Sequence, residues 1–209
     1  MSLDEGVFLV KLARKSIVDF LETSRRPPIP NNATAKLEEK CGVFVTLNSV
    51  NRGVRSLRGC IGYPTPEMPL MEATIDSAVN SATRDPRFPP VTSREMGNIV
   101  VEVSVLTPPT LIVVKDPRDY VNEVKVGRDG LIVERGWYKG LLLPQVPVEW
   151  NWSEEEFLNN CCMKANLTPD AWLMEGTKIF KFQAIIFREK RPNGEVERER
   201  FLVGEDSQG

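Results

Sequence analysis

The segment Leu57-Arg58-Gly59-Cys60-Ile61-Gly62-Tyr63 is the most distinctive stretch of this sequence. An apolar run at 41–47 and turn-forming residues at 48–53 precede it, and together they predict a β-hairpin whose returning strand covers 54–63. Prolines between 64 and 69 open a predicted helix that continues to about residue 82. Small residues on one face of that helix would allow it to pack closely against a sheet; these are Ala73, Ala78 and Ser81.

Helix and strand patterns alternate around this hairpin without a strict βαβ order. Ser2 with Glu5 and Ser153 with Glu156 have the spacing of capping boxes, which predicts helices over about 4–23 and from 154 to about 165. Apolar and β-branched runs predict further strands; they cover 99–106, 111–114, 124–126, 131–134, 141–143 and 177–188. The sequence therefore predicts an α+β fold, with a mixed or antiparallel sheet flanked by helices.

The composition excludes several kinds of chemistry. The 209 residues include 27 Lys and Arg, 29 Asp and Glu, and no histidine. Without an imidazole there can be no Ser-His-Asp triad, no Cys–His pair and no histidine-containing zinc site. The net charge of −2 gives no general attraction to nucleic acid or to an anionic membrane.

The N-terminus, the hydropathy and the cysteines indicate the cellular compartment of the protein. The N-terminus carries acidic residues where a signal peptide would be basic, and no window has the roughly 18 apolar residues of a membrane span. The four cysteines lie at 41, 60, 161 and 162, without a C-x-x-C pair. We expect a cytoplasmic protein with reduced thiols and without a metal site.

Cys60 is the candidate for covalent chemistry. Gly59 and Gly62 give its backbone freedom and leave its sulfur little covered by neighbours. Arg58 could favour the thiolate, which would make Cys60 a nucleophile or a metal ligand. The alternative is structural, because cysteine is often buried and glycines permit close packing between a strand and a helix. A thiol enzyme would also need a base, and no histidine can supply it.

The segment 85–90, Asp-Pro-Arg-Phe-Pro-Pro, is a candidate binding loop. Its prolines would present Asp85, Arg87 and Phe88 in one fixed geometry, as a binding site requires. Residues 52–94 contain six basic and four acidic side chains, an excess that suits a phosphate or carboxylate ligand. Alternatively, Asp85 caps a turn and the arginines pair with surface acids.

Three further polar residues lie in apolar surroundings. Gln145 and Glu149 interrupt a proline-rich apolar run beside Trp150 and Trp152, which is typical either of a pocket wall or of core. Glu102 alternates with valines in the predicted strand at 99–106. It is either a buried carboxylate with a raised pKa or part of an exposed edge.

These stretches together resemble the AMMECR domain family, which occurs in archaea, bacteria and eukaryotes. The matching segments follow the family's order over about residues 5–190, and we identify the chain as an archaeal or bacterial member with a charged tail at 191–209. That tail is predicted to be an edge or disordered. The segments are 42–46, 57–62, 85–90, 101–105 and 140–146.

The resemblance implies a single α+β domain of two unequal lobes with a cleft between them. It implies no settled activity and no known cofactor. Family members are often encoded beside, or fused with, Memo-like and radical-SAM proteins, which are therefore the implied partners. Many relatives carry histidine just before the glycine that corresponds to Gly130, where this chain has Asp129, and this difference indicates a structural position.

We consider three functions. The first is a module that binds a ligand or partner at a cleft lined by Arg58, Gly59, Gly62, Asp85, Arg87, Phe88, Gln145 and Glu149. The second is an enzyme in which Cys60 acts as nucleophile or ligand on a small anionic substrate, with Glu102 as the base. A nucleic-acid-associated regulator is the least favoured.

Overall fold

The computed structural model describes residues 1–30 and 34–199, which form two compact units. The first unit comprises Met1–Leu106 and Ile185–Glu199, and the second comprises Thr107–Ala184. The chain thus leaves the first unit after its third strand and returns to it with its last two strands. Residues 200–209, most of the predicted tail, lie outside the described residues.

The first unit is a five-stranded sheet with helices packed on it. The strands lie in the order β2-β1-β3-β8-β9, and β1 is antiparallel to both β2 and β3. The elements are α1 (Leu3–Thr23), α2 (Ala35–Glu38), β1 (Gly42–Asn51), β2 (Val54–Tyr63), α3 (Leu70–Thr83), a 3-10 turn (Glu95–Asn98), β3 (Ile99–Leu106), β8 (Ala184–Glu189) and β9 (Val196–Glu199).

Alternate residues of this sheet form the core with α1 and α3, as expected from strand geometry. The buried residues are Leu9, Ala13 and Ile17 of α1, Ala73 and Ala78 of α3, Val43, Val45 and Leu47 of β1, Val101, Val103 and Val105 of β3, and Phe187 of β8. The residues between them on each strand point to the opposite face, where the polar candidates Cys60 and Glu102 lie.

The second unit has its own core and an antiparallel sheet in the order β4-β7-β5-β6. Its elements are β4 (Thr110–Leu111), a 3-10 turn (Pro117–Asp119), α4 (Tyr120–Glu123), β5 (Gly130–Arg135), β6 (Tyr138–Leu142), α5 (Gln145–Glu149), α6 (Glu154–Lys164), a 3-10 turn (Pro169–Leu173) and β7 (Lys178–Phe182). Phe157 and Leu158 of α6 are fully buried against this sheet.

The structure confirms the α+β class, the hairpin and both capping boxes. Three strand predictions are wrong in detail. Residues 124–126 form no strand, because the Asp129 carboxylate accepts the Lys125 N–H and holds a turn there. The strand predicted at 111–114 is only Thr110–Leu111.

The alternating stretch at 177–188 is two strands in different sheets. Between them, Gln183 exchanges backbone hydrogen bonds with Thr107: the Gln183 carbonyl accepts the Thr107 N–H, and the Gln183 N–H binds the Thr107 hydroxyl. This pairing ends β7 in the second unit and begins β8 in the first. A period of two indicates a strand, but it carries no information about where the chain changes sheets.

A buried ion pair fastens the returning strand β8 to the rest of the first unit. Arg14 of α1 donates Nε to Glu189 Oε1 at 2.5 Å and Nη2 to Oε2 at 2.6 Å. The same guanidinium also binds the carbonyls of Met96 and Ile99, and Glu189 accepts the Val101 N–H. Every charge of this cluster therefore has a partner, as burial requires.

We predict that Glu189→Ala lowers the free energy of unfolding by about 3–5 kcal/mol, because it leaves the Arg14 charge buried without its carboxylate. Asp19→Ala is the matched control, since it breaks an exposed Lys15–Asp19 pair on the same helix and should cost less than about 1 kcal/mol. Urea denaturation measures both. Equal losses in the two variants would contradict the importance of the buried pair.

Candidate functional site

Cys60 lies in a row of polar side chains across the face of the first sheet that is opposite the helices. Thr46 of β1 pairs directly with Cys60 of β2 on one side and with Glu102 of β3 on the other. The Thr46 hydroxyl donates to Cys60 Sγ at 3.3 Å. Glu102 is buried, and its Oε2 lies 3.7 Å from Nη1 of Arg188 on β8. The row therefore joins the candidate thiol to the candidate base through Thr46.

The glycines of the Arg-Gly-Cys-Ile-Gly motif have a packing role. A Cβ at Gly59 would overlap the carbonyl oxygen of Ser81, at the end of α3, and a Cβ at Gly62 would overlap the Val43 carbonyl. The Ser81 hydroxyl accepts the Ile61 N–H at 2.8 Å and donates to the Val45 carbonyl at 2.7 Å. The end of α3 thus lies directly on the hairpin backbone, and the small helix face predicted from the sequence makes this contact.

Asp85 and Arg87 cap the outer edge of β2 at Cys60. Asp85 Oδ2 accepts the Cys60 N–H at 2.8 Å, and Arg87 Nη2 donates to the Cys60 carbonyl at 3.4 Å. Arg87 also binds the Asp85 carboxylate through Nε at 2.9 Å and Nη2 at 2.7 Å. The two side chains therefore supply the hydrogen bonds that a neighbouring strand would make.

The Asp85 carboxylate is fixed in its ionised form. The hydrogen bonds from the Arg87 side chain lower its pKa to about 2, and the N–H groups of Cys60 and Arg87 act in the same direction, against the effect of burial. Asp85 is almost completely buried, whereas the Arg87 side chain is 53 % exposed. The pair therefore presents a guanidinium to solvent on a rigid base.

Arg58 contacts the Phe88 ring and the segment 89–95, and none of its hydrogen bonds within the described residues is to the Cys60 thiol. Its guanidinium carbon is 6.0 Å from the Phe88 ring centroid and that of Arg87 is 5.5 Å away, so both arginines contact this ring. Arg58 Nε binds Glu95 at 2.9 Å and Nη1 donates to the Pro89 carbonyl at 2.8 Å. Its hydrogen bonds thus hold the 89–95 segment against β2.

The environment of Cys60 keeps its thiol protonated at neutral pH. Burial raises the pKa of Cys60 above its usual value, and the carboxylates of Glu102 and Asp85 raise it further. The Thr46 hydrogen bond and the Arg87 charge act in the opposite direction but do not reverse the shift. Activation by Arg58, expected from the sequence, has no counterpart here; the guanidinium that acts on the thiol is that of Arg87.

Gln145 and Glu149 belong to α5 in the second unit. Gln145 Oε1 is buried and has no hydrogen-bond partner among the described residues, whereas Glu149 is exposed. Trp150 stacks on Trp152 with 6.3 Å between ring centroids. A cleft shared by these residues and Cys60 stays a prediction, as do the assigned catalytic and binding roles.

Asp129 has the structural role that the sequence comparison indicated. Its Oδ2 accepts the Lys125 N–H at 3.0 Å, and Arg128 binds both carboxylate oxygens at 2.9 and 2.7 Å. The carboxylate therefore closes the turn before β5. Like Asp85, it binds one arginine through both carboxylate oxygens, but it accepts one backbone N–H where Asp85 accepts two.

The sequence analysis missed two residues of the polar row and one partner of Arg58. Thr46 could have been found from the hairpin register, since it pairs with Cys60. Arg188 and Glu95 had no such signal, because their positions depend on contacts between segments distant in sequence. Within 1–30 and 34–199, no group of three or more cysteine or acidic side chains is placed to hold a metal ion, and no helix is long and apolar enough to cross a membrane.

The sequence and the fold are similar to those of known proteins. The AMMECR1 family model matches residues 10–187. Protein PH0010 of Pyrococcus horikoshii is 58 % identical over 194 residues, which are 92 % of this chain and 94 % of that protein. Protein MJ0810 of Methanocaldococcus jannaschii is 50 % identical over 202 residues, 97 % and 98 % of the two chains. The crystal structure of the uncharacterized protein PH0010 matches with a TM-score of 0.89 at 56 % identity, covering 94 % of this chain and 97 % of that one.

We predict that Gly59→Ala destabilises the protein by at least about 1–3 kcal/mol, because the new methyl group overlaps the backbone of α3. Gly97→Ala is the control, since a Cβ there would meet nothing within 4 Å. Thermal unfolding of the two variants measures the difference. An unchanged midpoint in Gly59→Ala would show that the helix can move away from the strand at little cost.

We also predict that iodoacetamide modifies Cys60 no faster than Cys41 at pH 7, because burial raises the pKa of both thiols. The rate at Cys60 should rise about tenfold per pH unit up to its pKa, as the thiolate fraction grows. Peptide mass spectrometry quantifies each site, with Cys60→Ser to assign the signal. Faster labelling of Cys60 than of Cys41 at pH 7 would instead indicate an activated nucleophile.

Proposed function

This chain belongs to the AMMECR1 family, and we propose that it is a binding module rather than a thiol enzyme. The ligand is a carboxylate or carbonyl group, carried by a partner segment or a small anionic molecule. It binds at the Arg87 guanidinium beside Phe88 and Cys60.

The observation that carries this proposal is the state of Arg87. Its Nε and Nη2 are held by Asp85, its side chain is 53 % exposed, and Nη1 has no hydrogen-bond acceptor among the described residues. A donor that is already fixed loses little conformational entropy when it binds an acceptor. A charged N–H donor such as Nη1 forms a strong hydrogen bond with a carboxylate or carbonyl oxygen.

The thiol and the buried carboxylate support binding more than catalysis. Cys60 is protonated and hydrogen-bonded to Thr46, and Glu102 lies beside the positive charge of Arg188. No histidine exists in the chain to act as a base. The alternative hypothesis is an enzyme with Cys60 as nucleophile and Glu102 as base. If Cys60 proves reactive in the alkylation experiment, that hypothesis is preferred to the binding module.

The partners that the family resemblance implies are Memo-like and radical-SAM proteins. We propose that one of them supplies the acceptor group as an exposed segment with an acidic side chain or a free carbonyl. Phe88 would then contact the apolar part of that segment, since its ring is only half-buried between the two arginines.

The test measures binding of the purified protein to the Memo-like and radical-SAM proteins of the same genome by calorimetry. We expect a complex with at least one of them, weakened about tenfold or more by Arg87→Ala, as the loss of a charged hydrogen bond predicts. Arg128→Ala is the matched control, because Arg128 makes the same bidentate pair with an equally buried aspartate.

The two variants separate recognition from stability. Each leaves one buried aspartate without its arginine, so both should lose similar stability, while only Arg87→Ala should lose affinity. Equal weakening by both variants would contradict a role of Arg87 in recognition. Failure of the wild-type chain to bind either protein would exclude these partners.

A further inference from the structure

The proline-rich segment after α1 covers a cavity that is separate from the Arg87 site. Residues 26–29 form one wall of a cavity of about 280 Å³ in the first unit. The end of β2 and the first turns of α3 form the other wall. The lining residues outside the segment are Tyr63, Met68, Glu72, Ile75 and Asp76.

The anionic end of this cavity is Asp76. Its Oδ2 accepts hydrogen bonds from the Tyr63 hydroxyl and from Asn80 Nδ2, both at 2.6 Å. The guanidinium of Arg26 forms an ion pair with Asp76 and donates to Asn80 Oδ1 at 3.0 Å. A carboxylate and an amide oxygen thus bind the cationic side chain, and the Tyr63 phenol holds that carboxylate in place.

The rest of the cavity is lined by apolar side chains and one further carboxylate, so it suits a short alkyl chain and a positive charge. Pro27, Pro28 and Ile29 form one apolar wall, opposite Met68 and Ile75. Glu72 lies one helical turn before Asp76 on the same helix, is exposed, and has no ion pair with the described residues. With Arg26 paired to Asp76, the charge of Glu72 still makes the cavity net negative.

We propose that this cavity binds a small organic cation, an alkyl guanidinium or alkyl ammonium, and that Arg26 occupies its anionic end in the free protein. Arg26 brings a guanidinium on an alkyl arm to Asp76 and Asn80, so the groups at this end are chemically complementary to such a cation. A ligand of the same chemistry takes the place of that side chain.

Displacing the Arg26 side chain costs little free energy, and the Asp76 carboxylate keeps its position without it. The Arg26 side chain is 40 % exposed and the Asp76 side chain 14 %. An ion pair with one exposed partner is weak, because solvent screens its charges. Asp76 keeps the hydrogen bonds from Tyr63 and Asn80 when Arg26 leaves, so its carboxylate remains in place for the ligand.

A neighbouring cavity of about 430 Å³ gives the covering segment room to move. It shares Pro27, Pro28 and Ile29 with the first cavity and is otherwise lined by Pro30 and by α1 residues, among them Ser16 and Asp19. The three shared residues therefore have unfilled space next to them on two sides, and their displacement on binding requires no repacking of the core.

The test titrates n-butylguanidinium into the full chain and its variants by calorimetry. We expect Arg26→Ala to bind it up to about fivefold more tightly than the wild type does, because the weakly held competing side chain is gone. Arg25→Ala is the matched control: it removes the neighbouring positive charge, which does not line the cavity, and should bind like the wild type. The double variant Arg26→Ala with Asp76→Asn should lose the binding.

A neutral probe keeps the experiment decisive if Asp76→Asn alters the fold. n-Butylurea has the same shape without the charge, and we expect Arg26→Ala to bind it at least tenfold more weakly than n-butylguanidinium. The proposal is overturned if Arg26→Ala binds neither compound, if it binds both equally, or if Arg25→Ala gains as much affinity as Arg26→Ala. Any of these results would leave the Arg26–Asp76 pair as a contact that only fastens the segment to α3.

Discussion

The buried Arg14–Glu189 pair is the interaction on which the polar row depends. The chain leaves the first unit at Leu106 and returns at Ile185, and the Glu189 carboxylate binds both α1 and the Val101 N–H on β3. Adjacent residues of a strand point to opposite faces. With Glu189 directed at the helices, Arg188 must point to the other face, where it meets Glu102. One buried ion pair therefore fixes the register that neutralises the candidate base.

The charged groups around Cys60 are arranged to hold the backbone rather than to activate the thiol. Asp85 and Arg87 replace a neighbouring strand, Arg58 fastens the following loop through Glu95, and Thr46 donates to the sulfur. The group left exposed for a ligand is Nη1 of Arg87. This distribution supports the proposed binding role, because binding requires fixed and accessible hydrogen-bond donors and no change of protonation.

Two guanidinium–carboxylate pairs of the first unit have opposite arrangements. In the Arg87–Asp85 pair the loop backbone and the carboxylate fix an exposed arginine, so the arginine is the group presented to a ligand. In the Arg26–Asp76 pair the carboxylate is fixed by Tyr63 and Asn80, and the arginine is held by this contact on a peripheral segment. The same pair of chemical groups thus supports the proposed anionic ligand at one site and the proposed cationic ligand at the other.

The sequence by itself determined the local elements and the excluded chemistry. Capping boxes specify helix starts through hydrogen bonds three residues apart, the hairpin follows from adjacent strands and a turn, and the lack of histidine holds in any fold. The tertiary structure decided what depends on contacts between distant segments. These are the break between β7 and β8, the ion pair of Glu102 with Arg188, and the ion pair of Arg58 with Glu95. Periodicity records which face a side chain occupies, but its partner on that face comes from another part of the chain, so only the folded protein specifies it.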